Sequence, residues 1–156
     1  MRATLLATIA VTAVACSHRT TIPGTNIPDE PETRAVLQIF VRYKNALEAR
    51  DAAALLRLAA PDYSDPGDTS RGEGPTDYQT LKTKLPQTFE KLSGLKLEAT
   101  VRDVEVKGQE ARIDYYQVLR FAVRTPSGGE NWKSASDDAR MKFVNVRGEW
   151  RIASGL

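Results

Sequence analysis

Two rows of residues hold the side chains of this chain that could do chemistry. In the stretch 111–123, Ala111, Ile113, Tyr115, Leu119, Phe121 and Val123 recur at every second position, with Gln117 as the polar member of the row. In 135–143, Ala135, Ala139, Met141 and Phe143 form a second such row, interrupted by Asp137. A period of two with the apolar set on one side describes strands with one buried face. Tyr115, Gln117 and Asp137 are therefore polar groups aimed inward, and Tyr43 adds a phenol from a helical stripe earlier in the chain. A buried carboxylate beside phenols can have a raised pKa and serve as a base. Each residue also has a plainer account. Tyr43 and Tyr115 fit core aromatics with an edge at water. Gln117 fits an amide that satisfies backbone groups at a bulge. Asp137, followed by Asp138 within S-A-S-D-D-A-R, fits a solvated strand end.

Other chemistries find no residues. His18 is the sole histidine and lies near the N-terminus, which excludes a histidine-based metal or catalytic centre from the domain that follows. Cys16 is the sole cysteine, so an intrachain disulfide and a thiolate cluster are both excluded. No metal and no cofactor are expected. Lys plus Arg number 22 against 20 for Asp plus Glu, a near-neutral balance without the electrostatic footprint of a nucleic-acid binder. A chain of 156 residues holds one domain with a real core and is too short for two of usual size.

The first segment reads as a targeting signal. Arg2 gives a positive start, and 5–15 is an apolar run too short to span a bilayer as a permanent helix. Ala13-Val14-Ala15-Cys16 resembles the lipobox of bacterial lipoproteins, with alanine at 13 where leucine is usual. The resemblance implies a signal peptide at 1–15, lipidation of Cys16 and a lipid anchor to the cell envelope. Ser17 after the cysteine favours an outer membrane facing the periplasm. Residues 16–31, with Pro23, Gly24, Pro28 and Pro31, read as the lipidated cysteine and a flexible tether. The domain is expected at 32–156.

Within it, Val36, Ile39, Phe40, Tyr43, Ala46 and Leu47 recur at three and four, the stripe of an amphipathic helix over 32–48. Asp51 caps a second helix over 52–60, stopped by Pro61. Residues 62–75 show no period and read as a binding loop or a plain surface loop, with Tyr63 in a short strand or lip. Thr76 and Gln79 read as a capping box before a helix presenting Leu81, Leu85, Phe89 and Leu92. Pro86 either kinks that helix or splits it at Leu85. The period then changes to two. Leu95, Leu97, Ala99 and Val101 share a face, and Val104 and Val106 take the other phase, which predicts a bulge near Arg102-Asp103. Turns at 106–109, 125–129 and 147–148 separate four antiparallel strands in meander order. Trp150 and Ile152 belong to the core face, whereas Trp132 falls out of phase and points outward, as do Tyr116, Val118 and Ala122. Helices covering one face of an antiparallel sheet make an α+β domain.

This order, with A-L-E-A-R-D-A-A-A-L-L-R-L-A-A-P-D-Y at 46–63 and G-E-W-R-I at 148–152, resembles the superfamily named after nuclear transport factor 2 (NTF2-like). SnoaL-like cyclases and ketosteroid isomerase belong to that superfamily. The resemblance implies a cone in which a curved, mostly antiparallel sheet wraps the N-terminal helices and leaves a pocket at the open end. It implies that Tyr43, Tyr115, Gln117 and Asp137 line that pocket. No complete catalytic set maps onto the chain, which favours non-catalytic binding of a small apolar ligand or a protein partner. The alternatives are an isomerase, dehydratase or cyclase using Asp137 with Tyr115 or Tyr43, and a structural homodimerisation module.

Overall fold

The computed structural model describes residues 20–67, 74–125 and 127–156. The lipobox, Cys16 and His18 lie outside them. Helix α1 runs over Pro31–Glu48, with proline in its first turn, where a missing N–H costs nothing. It buries Val36, Phe40, Tyr43 and Ala46, the stripe anticipated from the spacing. Its last turn is pinned to the sheet: Glu48 accepts from the Leu97 amide at 3.0 Å and from Lys44 at 2.8 Å. Helix α2, Ala52–Leu58, is capped by Asp51, whose carboxylate accepts from the Ala54 amide at 2.8 Å. It ends two residues before the expected point. Ala59 turns extended and bridges Ile152 in parallel, and the Ala60 amide donates to the Ile152 carbonyl at 2.8 Å.

Two short strands, β1 (Ser64–Asp65) and β2 (Thr76–Asp77), pair antiparallel and lead into α3, Tyr78–Glu90. The cap of α3 differs from the expected one. Thr76 is engaged in β2, and Asp77 accepts from the Thr80 amide at 2.7 Å. Pro86 sits within a single helix, on its exposed side, so the lost backbone bond faces water. The main sheet follows as β3 (Leu92–Lys107), β4 (Glu110–Arg124), β5 (Glu130–Val146) and β6 (Glu149–Ser154), in the order β3-β4-β5-β6. The predicted bulge is present, as a register shift between Val101 and Asp103. It allows Leu97 and Val104 to be buried on one concave face despite their opposite phase.

The core lies between α1, α2, α3 and that concave face. Val36, Ile113, Met141 and Ile152 have no exposed surface, and Leu55, Leu97 and Phe143 have almost none. Trp150 is buried as expected, and Trp132 is 52% exposed on the outer face. Ala122, expected outward, does point that way but is covered, because it lies beside Trp132 in register. Two expectations shift. Tyr63 is a core residue, not a lip. Residues 20–30, expected as tether, are partly folded onto the domain: Thr21 bridges Pro28, the Ile22 amide donates to the Ile27 carbonyl at 2.9 Å, and Ile27 is buried. Among the described residues no helix is long and apolar enough to cross a membrane.

Candidate functional site

An open cleft of about 820 Å³ lies between α3 and the β4–β5 part of the sheet. All four residues singled out from the sequence line it: Tyr43, Tyr115, Gln117 and Asp137. The strand register brings the last three together. Gln117 faces Asp137 directly across β4–β5, and Tyr115 sits one inward step along β4, opposite Ala139. Residues directly and diagonally opposite on one face are within side-chain reach of each other. The Gln117 amide donates to Asp137 Oδ1 at 2.9 Å. The amide therefore orients the acid rather than satisfying a bulge, which lies on β3 instead. Asp137 is half-buried, so it is not a fully solvated strand end.

The phenols form the inner wall. Tyr115 is 3% exposed and packs edge-on against Phe40, ring centroids 4.8 Å apart, while Tyr43 lies 5.8 Å from Phe40 by the same measure. Burial is the main cause holding the Tyr43 hydroxyl far above its ordinary range, reinforced by the neighbouring Tyr115 phenol. Tyr115 is pushed up to about 12, first by burial, with the Tyr43 hydrogen bond pulling the other way and the Asp137 charge adding to the rise. Its hydroxyl therefore keeps its proton at neutral pH and can donate it. Tyr115 is thus placed as a hydrogen-bond donor and acid, with Asp137 as the candidate base on the adjacent strand.

Leu47, Leu81, Leu85 and Leu119 give the cleft apolar walls, and Lys84, Thr88 and Arg140 stand at its rim. Lys84 and Thr88 escaped the sequence reading, although they lie three and seven residues after Leu81 and so share its helical face. Asp65, also at the cleft, escaped it too. Its carboxylate accepts from the Gly155 and Gly67 amides, both at 2.7 Å, while the Tyr63 hydroxyl accepts from the Leu156 amide at 3.0 Å. These bonds tie the end of β6 to the β1 strand across the cleft margin. No group of acids, histidines and cysteines among the described residues could hold a metal ion.

No protein-family model matches the sequence, and no curated protein matches it. Solved structures do. A scytalone dehydratase candidate from Novosphingobium aromaticivorans superposes with a TM-score of 0.67 at 15% identity, over 78% of this chain and 79% of that one. An NTF2-like superfamily protein from Salmonella enterica gives 0.65 at 16% identity, over 79% and 89%. The fold is NTF2-like. A ketosteroid isomerase-like protein from Erwinia carotovora gives 0.63 at 15% identity, over 80% and 92%. At such identities the likeness establishes the NTF2-like fold and leaves activity to be argued from the site. The NTF2-like architecture accounts for the placement of the cleft: the helices fill one end of the concave face, and the other end stays open over Gln117 and Asp137.

Proposed function

We propose that this NTF2-like domain takes a small amphipathic molecule bearing a carbonyl or hydroxyl oxygen, and performs acid/base chemistry of the isomerase, dehydratase or cyclase type on it. The observation that carries this reading is that Asp137 and Tyr115 line one cleft from neighbouring strands, diagonal to each other in the register. Asp137 would take the proton from a carbon next to the substrate carbonyl. Tyr115, itself held by the Tyr43 hydroxyl, would donate to the oxygen on which charge develops. Return of the proton to another carbon is an isomerisation, and loss of a β-hydroxyl as water is a dehydration. The leucine walls would hold the apolar part of the molecule. Relatives in fold described as a dehydratase candidate and as ketosteroid isomerase-like support the same class.

A panel of cyclic ketones and β-hydroxyketones, followed by calorimetry and by chromatography of the products, tests the reading. Asp137→Asn should keep ligand binding and lose turnover. Turnover unchanged in that variant would remove Asp137 from the reaction. Binding without turnover in the unmodified protein would instead favour the second reading, a non-catalytic ligand carrier, which the hold of Gln117 on Asp137 Oδ1 also suits.

For location we propose a lipid anchor at Cys16, after cleavage of residues 1–15, with the domain in the cell envelope on the periplasmic side of an outer membrane. The support is the apolar run followed directly by the chain's sole cysteine. Mass spectrometry of the mature N-terminus decides it: a diacylated or triacylated Cys16 is expected, and an unmodified one would refute it.

A further inference from the structure

Charge is spread unevenly over this chain. Its formal net charge is only +2, yet arginines gather where the end of α2 meets the β5–β6 hairpin. An open cleft of about 710 Å³ lies there between α2, the first turn of α3 and β6, and it shares no lining residue with the cleft of Asp137. Arg57 from α2, Arg147 from the β5–β6 turn and Arg151 from β6 line it, against a single carboxylate, Glu149. Arg42 of α1 extends the cluster through an adjoining cleft that Arg57 and Arg151 also line.

Ordinary structural roles account for part of this set. Arg57 stands in the last turn of α2, where a cation complements the helix dipole. Arg151 is fastened in place: it donates to the Arg57 carbonyl through Nη1 and to Glu149 Oε2 through Nη2, the latter at 2.5 Å. Those two bonds orient its guanidinium and leave three of its five N–H donors to offer. Arg147 has neither role. Its backbone is left-handed, with φ at 55°, in a hairpin position that favours asparagine, aspartate or glycine. The turn is closed by Asn145 instead, whose Oδ1 accepts from the Gly148 amide at 2.8 Å. An arginine there adds backbone strain and nothing to the turn. Arg42, Arg57 and Arg147 form no ion pair among the described residues.

The charge count selects a ligand class. Three guanidinium groups against one carboxylate leave two positive charges in excess. A carboxylate would offset one of them. A phosphate monoester carries about −1.5 to −2 at pH 7, and its oxygens match the fork of arginine in pairs. The remaining lining is largely apolar: Leu56, Ala59, Pro61 and Val146, with Tyr78, whose hydroxyl donates to the Leu56 carbonyl at 3.5 Å. A bare inorganic ion would leave that surface unused. A concave site of this size suits a small molecule, whereas a flat basic face would suit a membrane surface.

We propose that this cleft binds a small phosphate monoester with an apolar organic part. Arg151 supplies the fixed fork, Arg57 and Arg147 reach the phosphoryl oxygens from α2 and from the turn, and the organic part lies against Leu56, Pro61 and Tyr78. The headgroup of an anionic lipid carries the same phosphoryl chemistry, and vesicles distinguish the two sources.

Calorimetry of the full chain takes phenyl phosphate, inorganic phosphate and benzoate as probes. Phenyl phosphate should bind at one site, at least tenfold tighter than either of the others, because it alone offers both two charges and a ring. Its affinity should fall with added salt and as pH drops below about 6, where the monoester becomes a monoanion. Arg57→Gln and Arg147→Gly should each weaken it at least tenfold. Arg147→Gly also relieves the left-handed backbone, so that variant should stay folded and its loss of binding is not a loss of structure. Arg120→Gln, on β4 and outside both arginine-lined clefts, should bind as the unmodified chain does. Phenyl phosphate no tighter than benzoate or inorganic phosphate, or unchanged affinity in both cleft variants, would overturn the proposal. Capture by phosphatidylglycerol vesicles without binding of phenyl phosphate would overturn it too, in favour of a membrane contact.

Discussion

The Gln117 amide holds Asp137 Oδ1 at 2.9 Å from the directly opposite position on the next strand. Asp137 is thus oriented by a cross-strand partner, and deeper in the same cleft lie two buried phenols, Tyr115 on β4 and Tyr43 on α1. Replacing Gln117 by leucine keeps the volume and removes the donor. A half-buried hydrogen bond to a carboxylate contributes about 1 kcal/mol once solvent screening is allowed for. Urea denaturation should show a loss of that size for Gln117→Leu, and a cycle with Asp137→Asn should show that the two losses do not add.

Ile113 is fully buried between its neighbours Val104 on β3 and Met141 on β5. Ile113→Ala removes three methyl or methylene groups from a site with strands on both sides and helices above, where collapse is restricted. The expected cost is about 2–5 kcal/mol, measured by chemical denaturation. A loss below 1 kcal/mol would mean that the concave face can close over the gap.

Alkaline pH should act through the tyrosines. Tyr63 and Tyr115 are each raised to about 12, mainly by burial. An unfolded tyrosine ionises near 10, so between about 10 and 12 the unfolded chain loses protons that the folded one keeps. Stability from these groups is therefore intact below the unfolded value and falls as pH rises through that window. Denaturation midpoints should decline over this range, and Tyr115→Phe should flatten part of the decline. Spectrophotometric titration should show Tyr115 and Tyr63 ionising late in the native protein.

Gly94 lies under Trp132 on the outer face. A methyl group at 94 would meet Trp132 Cη2 at 2.7 Å and Cζ2 at 3.0 Å. The indole is half exposed and can swing away, so Gly94→Ala should lower stability only modestly while shifting tryptophan fluorescence towards that of a solvated ring. Adding Trp132→Ala should remove the penalty. An unchanged emission spectrum in Gly94→Ala would contradict this contact.

Much of the framework was legible in the chain because local period and burial coincide. The stripe of α1, the inward rows of β4 and β5 and the bulge near Asp103 are all set by side chains repeating at the pitch of their own element. Those rows also marked Tyr43, Tyr115, Gln117 and Asp137, as polar breaks in apolar patterns. The cap of α3 was read one residue early because Thr76 and Asp77 are both good caps; both pair in β2, and the helix starts at Tyr78, which makes Asp77 the residue whose carboxylate reaches the Thr80 amide.

What the sequence by itself determined is the set of polar side chains that face inward and the order of elements that carries them. Tertiary structure decided the rest, because it depends on contacts between residues far apart in the chain. The register set Gln117 against Asp137, and the packing of α1 on β4 laid Tyr43 on Tyr115. The fold of α3 over β5 brought Lys84 to the same cleft, and β6 was paired with only the Lys142–Val146 end of β5. No periodicity within a single segment encodes those distances.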